Sequence, residues 1–213
     1  MRREDENAQV AEQVQARRRT YTERFGVCPP AATFTLEAAE DHGNAWRFNC
    51  GPASLCAVTG LTPEQVRPSL GDFERKGYTD PTLMLATLDR LEQRFARIKP
   101  PEWLDYAAGE VCWSFLVAAL SNEPTRGLIR VQWGGPWTRP GVPMRARYRH
   151  THWVAFWRST ARMFVFDVNA MCVGGWLPFT EWHGGLVPWL IPQVEPKGDG
   201  MFWPTHVLEL LSG

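Results

Sequence analysis

Cys50, His152 and Asp167, in that chain order, are the side-chain types of a thiolate nucleophile, its proton acceptor and the carboxylate that orients the acceptor. A thiol attacks a carbonyl as the thiolate. It needs an imidazole to take its proton and, as imidazolium, to hold the charge that results; the imidazole needs an oriented acceptor in turn. The run Asn49-Cys50-Gly51-Pro52-Ala53-Ser54-Leu55 puts Cys50 in the first turn of a predicted helix, with Asn49 as its cap and Pro52 where a missing N–H does no harm. Free backbone N–H groups and the positive end of the helix dipole favour an anion there and lower a thiol's pKa. Cys56, on the interior face of the same helix, reads instead as a small apolar core residue.

His152 lies in the strand-like run Arg149-His150-Thr151-His152-Trp153-Val154-Ala155-Phe156, and Asp167 closes Met163-Phe164-Val165-Phe166-Asp167-Val168-Asn169. The polar turn from Arg158 to Arg162 joins the two runs as a hairpin and brings His152 beside the Asp167 and Asn169 end. Strand alternation would point Asp167 and Asn169 the same way, so both are candidates to orient His152. Asp167 is preferred, because a carboxylate stabilises imidazolium more than an amide does. His150 and His152, two apart on one strand, also display a pair of metal ligands, but no third ligand stands at a recognisable spacing, and no metal or cofactor is assigned. Trp133, Trp137 and Trp176 fall in glycine- and proline-rich loops near the ends of these strands, where they either line a substrate cleft or pack the loops.

These residues need elements to hold them. Residues 1 to 28 form a polar arm whose sparse apolar stripe, Val10, Val14, Tyr21 and Phe25, has helical spacing; residues 29 to 213 form one domain. Thr62-Pro63-Glu64-Gln65 and Asp80-Pro81 each open a helix by cap and N1 proline, and a further helix is expected from about Gly109 to Asn122. Strands are expected from Leu128 to Trp133, Tyr148 to Trp157, Met163 to Val168 and Phe202 to Leu211. Helices followed by strands, without βαβ alternation, predict an α+β domain with a mostly antiparallel sheet packed on the front helices.

Composition narrows the partners. Lys+Arg and Asp+Glu both number 23, which removes the basic field that non-specific nucleic-acid binding depends on. No run approaches the roughly 20 apolar residues of a membrane span, and the first residues lack the apolar centre of a signal peptide, so a soluble, non-secreted chain with no membrane partner is expected. The 5 cysteines contain no CxxC pair and read as reduced thiols.

The nucleophile run resembles the catalytic helix of papain-like cysteine peptidases, especially the compact bacteriocin-processing (C39-like) branch, whose pattern is Asp-Cys-Gly-x-Ala. His152 in His-Trp-Val-Ala-Phe and Asp167 in Val-Phe-Asp-Val-Asn resemble that branch's histidine strand and acidic strand end. The resemblance implies a papain-like α+β fold and a thiol hydrolase acting on a peptide or isopeptide bond of a peptide or protein substrate. It also implies an oxyanion donor six residues before the nucleophile, here Asn44 where glutamine is usual, with Asn49 as a competing donor. The 102 residues from Cys50 to His152 are fewer than the about 130 to 150 of papain proper, which favours a compact relative. Two alternatives share the scaffold: a transglutaminase-type acyl transferase and a non-catalytic interaction or virion module. The stretch from Cys50 to Leu91, with Gly-Asp-Phe-Glu-Arg-Lys-Gly-Tyr-Thr-Asp-Pro-Thr inside it, resembles uncharacterised proteins of tailed phages and prophages. That second resemblance implies a phage or host protein partner and a cytoplasmic or virion-associated location.

Overall fold

The structure, a computed structural model, describes residues 2–34, 50–98, 109–120, 123–143, 146, 150–193 and 197–211. A long helix, α1 (Arg2–Phe25), is followed by α2 (Cys50–Thr59), α3 (Pro63–Val66), α4 (Phe73–Lys76) and α5 (Pro81–Arg90). The two caps read from sequence are in place. Thr62 and Gln65 form a reciprocal capping box at α3, and the Asp80 carboxylate accepts from Leu83 N–H at α5. Asp80-Pro81 works because proline's fixed φ suits the first helical position while the carboxylate satisfies an otherwise unpaired N–H.

Six strands then build one antiparallel sheet: β1 (Phe95–Ile98), β2 (Thr125–Trp133), β3 (Thr151–Arg158), β4 (Met163–Phe166), β5 (Trp176–Pro178) and β6 (Phe202–Leu210), in the spatial order β1-β6-β2-β3-β4-β5. Between β1 and β2 runs α6 (Gly109–Ala119). The short edge strands β1 and β5 go beyond the sequence reading, being four and three residues long and too brief for a period-2 pattern to register. The expected fourth helix ends at Ala119; Asn122 lies outside the described residues.

Both faces of the sheet are covered, where only the front helices were expected to pack on it. Leu128, Trp153, Ala155, Phe164, Phe166 and Leu208 join α2 and α5 in one buried cluster. Ile129, Val131, Val154, Phe156, Val165 and Val207 join Trp113 and Leu116 of α6 in a second. Successive side chains thus alternate between two cores, which is why β3 reads as a near-continuous apolar run from Trp153 to Trp157 and why β2 is buried from Gly127 to Trp133, Arg130 and Gln132 included. The helix α2 is buried from Gly51 to Val58, as its apolar composition requires. On the first face, the apolar stripe of α1 packs down: Tyr21 is buried and Val10, Val14 and Phe25 are half-buried. Among the described residues no helix is long and apolar enough to cross a membrane.

Candidate active site

The helix start that carries Cys50 meets the sheet near the beginning of β3. Two contacts fix this meeting. Ser54 Oγ donates to the Trp153 carbonyl at 3.0 Å, and Trp153 Nε1 donates to the Thr79 carbonyl at 2.8 Å, so the first turns of α2, the strand β3 and the turn before α5 are locked together. Gly51 is part of the same fit. A Cβ there would lie 2.2 Å from Thr79 Oγ1, closer than atoms pack, which gives the glycine after the cysteine a steric reason.

Cys50 is half-buried, and His152 and the Trp153 backbone N–H are the groups that act on its thiol in favour of the thiolate. His152 Nε2 lies 2.9 Å from Asp167 Oδ1, which leaves Nδ1 as the ring nitrogen for the sulfur. The charges along this chain support one another. Burial opposes the Cys50 thiolate, yet the charge and hydrogen bond of His152 and the Trp153 N–H outweigh it and hold the thiol below its ordinary pKa. Burial likewise opposes imidazolium, but Asp167 and Cys50 hold His152 well above its usual value. At Asp167 burial is again overcome, by His152, Trp182 and the Asn169 N–H, and the carboxyl is depressed. The arrangement therefore favours a thiolate–imidazolium pair backed by a fully buried, ionised carboxylate.

Asp167 and Asn169 both approach the ring, though not by strand alternation. The strand β4 stops at Phe166, and Asp167 caps a 3-10 helix, Val168–Val173, by accepting from Asn169 N–H at 2.9 Å. The two side chains take different tasks. Asn169 Nδ2 is 3.5 Å from His152 Nε2 but 2.9 Å from Asp167 Oδ1. A protonated Nε2 has no lone pair to accept from an amide, so Asp167 orients the ring and Asn169 holds Asp167.

Sequence reasoning missed Trp182. Its Nε1 donates to Asp167 Oδ2 at 2.9 Å, engaging the oxygen that faces away from the histidine. Trp182 opens a π-helical turn, Trp182–Leu186, set between α7 (Phe179–Glu181) and α8 (Val187–Leu190). Such turns are rare and recur at functional sites. The Trp-His-Gly-Gly sequence of this turn carries no spacing that would have announced an indole aimed at a residue 15 positions earlier.

The other candidates fall as follows. Trp133 and Trp137 are buried rather than lining an open cleft: the Trp133 ring stacks near His152 with centroids 6.1 Å apart, and Trp137 packs on His150 at 4.0 Å. Trp176 is buried under α1, against a different cavity. His150 precedes β3, which starts at Thr151, so it does not share a strand face with His152 as expected. Among the described residues no three His, Cys, Asp or Glu side chains are grouped to hold a metal. Asn44 and Asn49, the two oxyanion candidates, lie outside the described residues. Comparison of the chain with known family models, curated proteins and solved structures gave no match.

Proposed function

We propose that the protein is a papain-like thiol hydrolase that cleaves a peptide or isopeptide bond through Cys50, His152 and Asp167. The observation that carries this reading is the buried His152 Nε2–Asp167 Oδ1 hydrogen bond at 2.9 Å beside the Cys50 thiol, with each of the three groups shifted toward its charged form. The Cys50 thiolate attacks the carbonyl carbon, and the carbonyl π electrons move to oxygen. The Cys50 N–H at the start of α2 and an amide from Asn44 or Asn49 stabilise that oxyanion. As it collapses, the imidazolium of His152 gives its proton to the departing nitrogen, and a thioester remains on Cys50. His152, now neutral, takes a proton from water, the hydroxide adds to the thioester, and the acid product leaves with the thiolate restored. Asp167 stays ionised throughout and keeps the ring in place.

The test uses the full chain with a thiol-directed electrophilic peptide probe and a peptide library. Covalent labelling at Cys50, lost in Cys50→Ala, together with library cleavage, upholds the reading. A chain that takes no label at Cys50 favours a non-catalytic module on the same scaffold. Incorporation of a primary amine in place of water would assign transglutaminase-type acyl transfer to the same triad.

A further inference from the structure

Beneath α1 is a cavity of about 300 Å³ that contains none of the three candidate catalytic residues. Three pieces of chain enclose it: α1, the segment after it as far as Phe34, and the stretch from Met171 to Trp176, which runs from the end of the 3-10 helix that follows Asp167 into the start of β5. Val10, Val14, Phe34, Met171, Val173 and Trp176 give it largely apolar walls. Its volume is at the lower end of the range for small-molecule sites, which are mostly apolar with a few placed polar groups.

The polar groups here are two neighbouring arginines with different commitments. Arg17 is spent: it pairs with Glu181 at 2.5 Å and donates to the Tyr21 hydroxyl at 2.6 Å. Arg18 makes one side-chain contact, Nη1 to the Pro29 carbonyl at 2.9 Å, and among the described residues no carboxylate pairs with it. A guanidinium carries five N–H donors in a planar fork that matches a carboxylate, so most of Arg18's capacity is open at an apolar wall. Cys28, also on the wall, adds no competing negative charge, because burial outweighs the nearby Arg18 and keeps the thiol protonated.

From this the geometry points to a binding site for an apolar monocarboxylate of the medium-chain fatty-acid class, its chain between α1 and the 168–173 helix and its carboxylate on Arg18. The site is independent of the hydrolase reading. Its far wall is nevertheless continuous with the triad: Asp167 caps the helix that carries Met171 and Val173, and Asp167 N–H donates to the Gly175 carbonyl at 2.9 Å.

Calorimetric titration of the full chain with decanoate, below its micelle concentration, and with decanol as the uncharged probe tests the site. One decanoate is expected per chain, with decanol at least about tenfold weaker, which corresponds to about 1.4 kcal/mol. Arg18→Gln keeps a donor for Pro29 and should erase the preference for decanoate. Ala11→Trp and Ala31→Trp fill the cavity from exposed positions on two different walls, and each should weaken both probes about tenfold or more while circular dichroism stays native. The Cys50→Ala protein should bind decanoate as the native chain does, so loss of hydrolysis and loss of binding are separate results. No saturable heat, or binding that both tryptophan variants and Arg18→Gln leave unchanged, overturns the site.

Discussion

Cys50 and Cys56 stand on the same ten-residue helix and are driven in opposite directions. Desolvation is the largest influence on both thiols and disfavours the thiolate in each. For Cys56, fully buried among apolar neighbours and with the charge of Glu64 adding to the penalty, the pKa is pushed up to about 12. For Cys50 the same penalty is overturned by an imidazolium and a backbone N–H. The helix supplies two thiols of equal intrinsic chemistry, and what separates them is the partner at one end. A cysteine's reactivity is therefore a property of its surroundings, and Cys56 is a control built into the same element.

The largest expected effect breaks the pair at its root. On the proposed hydrolase reading, Cys50→Ala should lower peptide-cleaving turnover by on the order of 10³-fold or more, because a nucleophile removed from a concerted triad is not replaced by its partners. Cys56→Ala leaves a small void in the core, should cost on the order of 1 kcal/mol in stability and should leave turnover within about twofold. Turnover measured beside urea unfolding decides between them; loss of turnover in Cys56→Ala with retention in Cys50→Ala would invert the assignment.

Next comes the pH dependence of the two thiols. With its pKa below the ordinary value because His152 and the Trp153 N–H outweigh burial, Cys50 should alkylate at a lower pH than a free thiol does. Cys56 should stay unreactive up to pH 9 in the folded chain. In His152→Ala the burial penalty on Cys50 remains while the compensating charge is gone, so the thiol's pKa must rise and its reactivity below pH 7 should vanish. Mass-resolved alkylation rates from pH 5 to 9 measure this, and a Cys50 profile unmoved by His152→Ala would remove the ion pair from the account.

This contrast was legible in the chain because it rests on local rules: helix starts are marked by caps and prolines, and a hairpin turn between two apolar runs fixes which residues meet. Cys50, His152 and Asp167 come together as read. What escaped the sequence depends on longer-range or competing forces. Val168 continues a β-branched run, yet the Asp167 side chain captures the Asn169 N–H and turns the chain into a 3-10 helix, a local hydrogen bond prevailing over strand propensity. The burial of Trp133 and Trp137 follows from a second core behind the sheet, assembled from α6 and the residues after Phe179 and invisible to any one segment's periodicity. Trp182 belongs to that second core and reaches the acid only through tertiary packing.

A smaller effect separates the two side chains around His152. Asp167→Ala removes the charge that holds imidazolium and should cost turnover the more; Asn169→Ala loosens Asp167 while leaving it in place and should cost about tenfold or less, one charge-assisted hydrogen bond being worth about 1.5 kcal/mol. A larger loss at Asn169 would hand it the orienting role.

The smallest effect is the most discriminating, since it acts on Cys50 through two intermediaries. Trp182→Phe keeps an aromatic ring in the core but deletes the N–H that Asp167 Oδ2 accepts, so the carboxylate loses one donor and its grip on imidazolium weakens. The expected result is a severalfold fall in kcat with KM unchanged and a small alkaline shift of the Cys50 alkylation profile, while Cys56 stays silent. Packing loss alone is controlled by Trp113→Phe. Trp113 sits 5.4 Å from Trp182 in the same aromatic cluster, but its own Nε1 donates to the Phe202 carbonyl at 3.1 Å and not to the triad. Both variants should lose comparable stability in urea, each surrendering an indole N–H bond and some buried area. Only Trp182→Phe should move the Cys50 profile. If Trp113→Phe moves it as far, Trp182 acts by filling space, and the thiol's distinction from Cys56 rests on His152 and Asp167 without the indole.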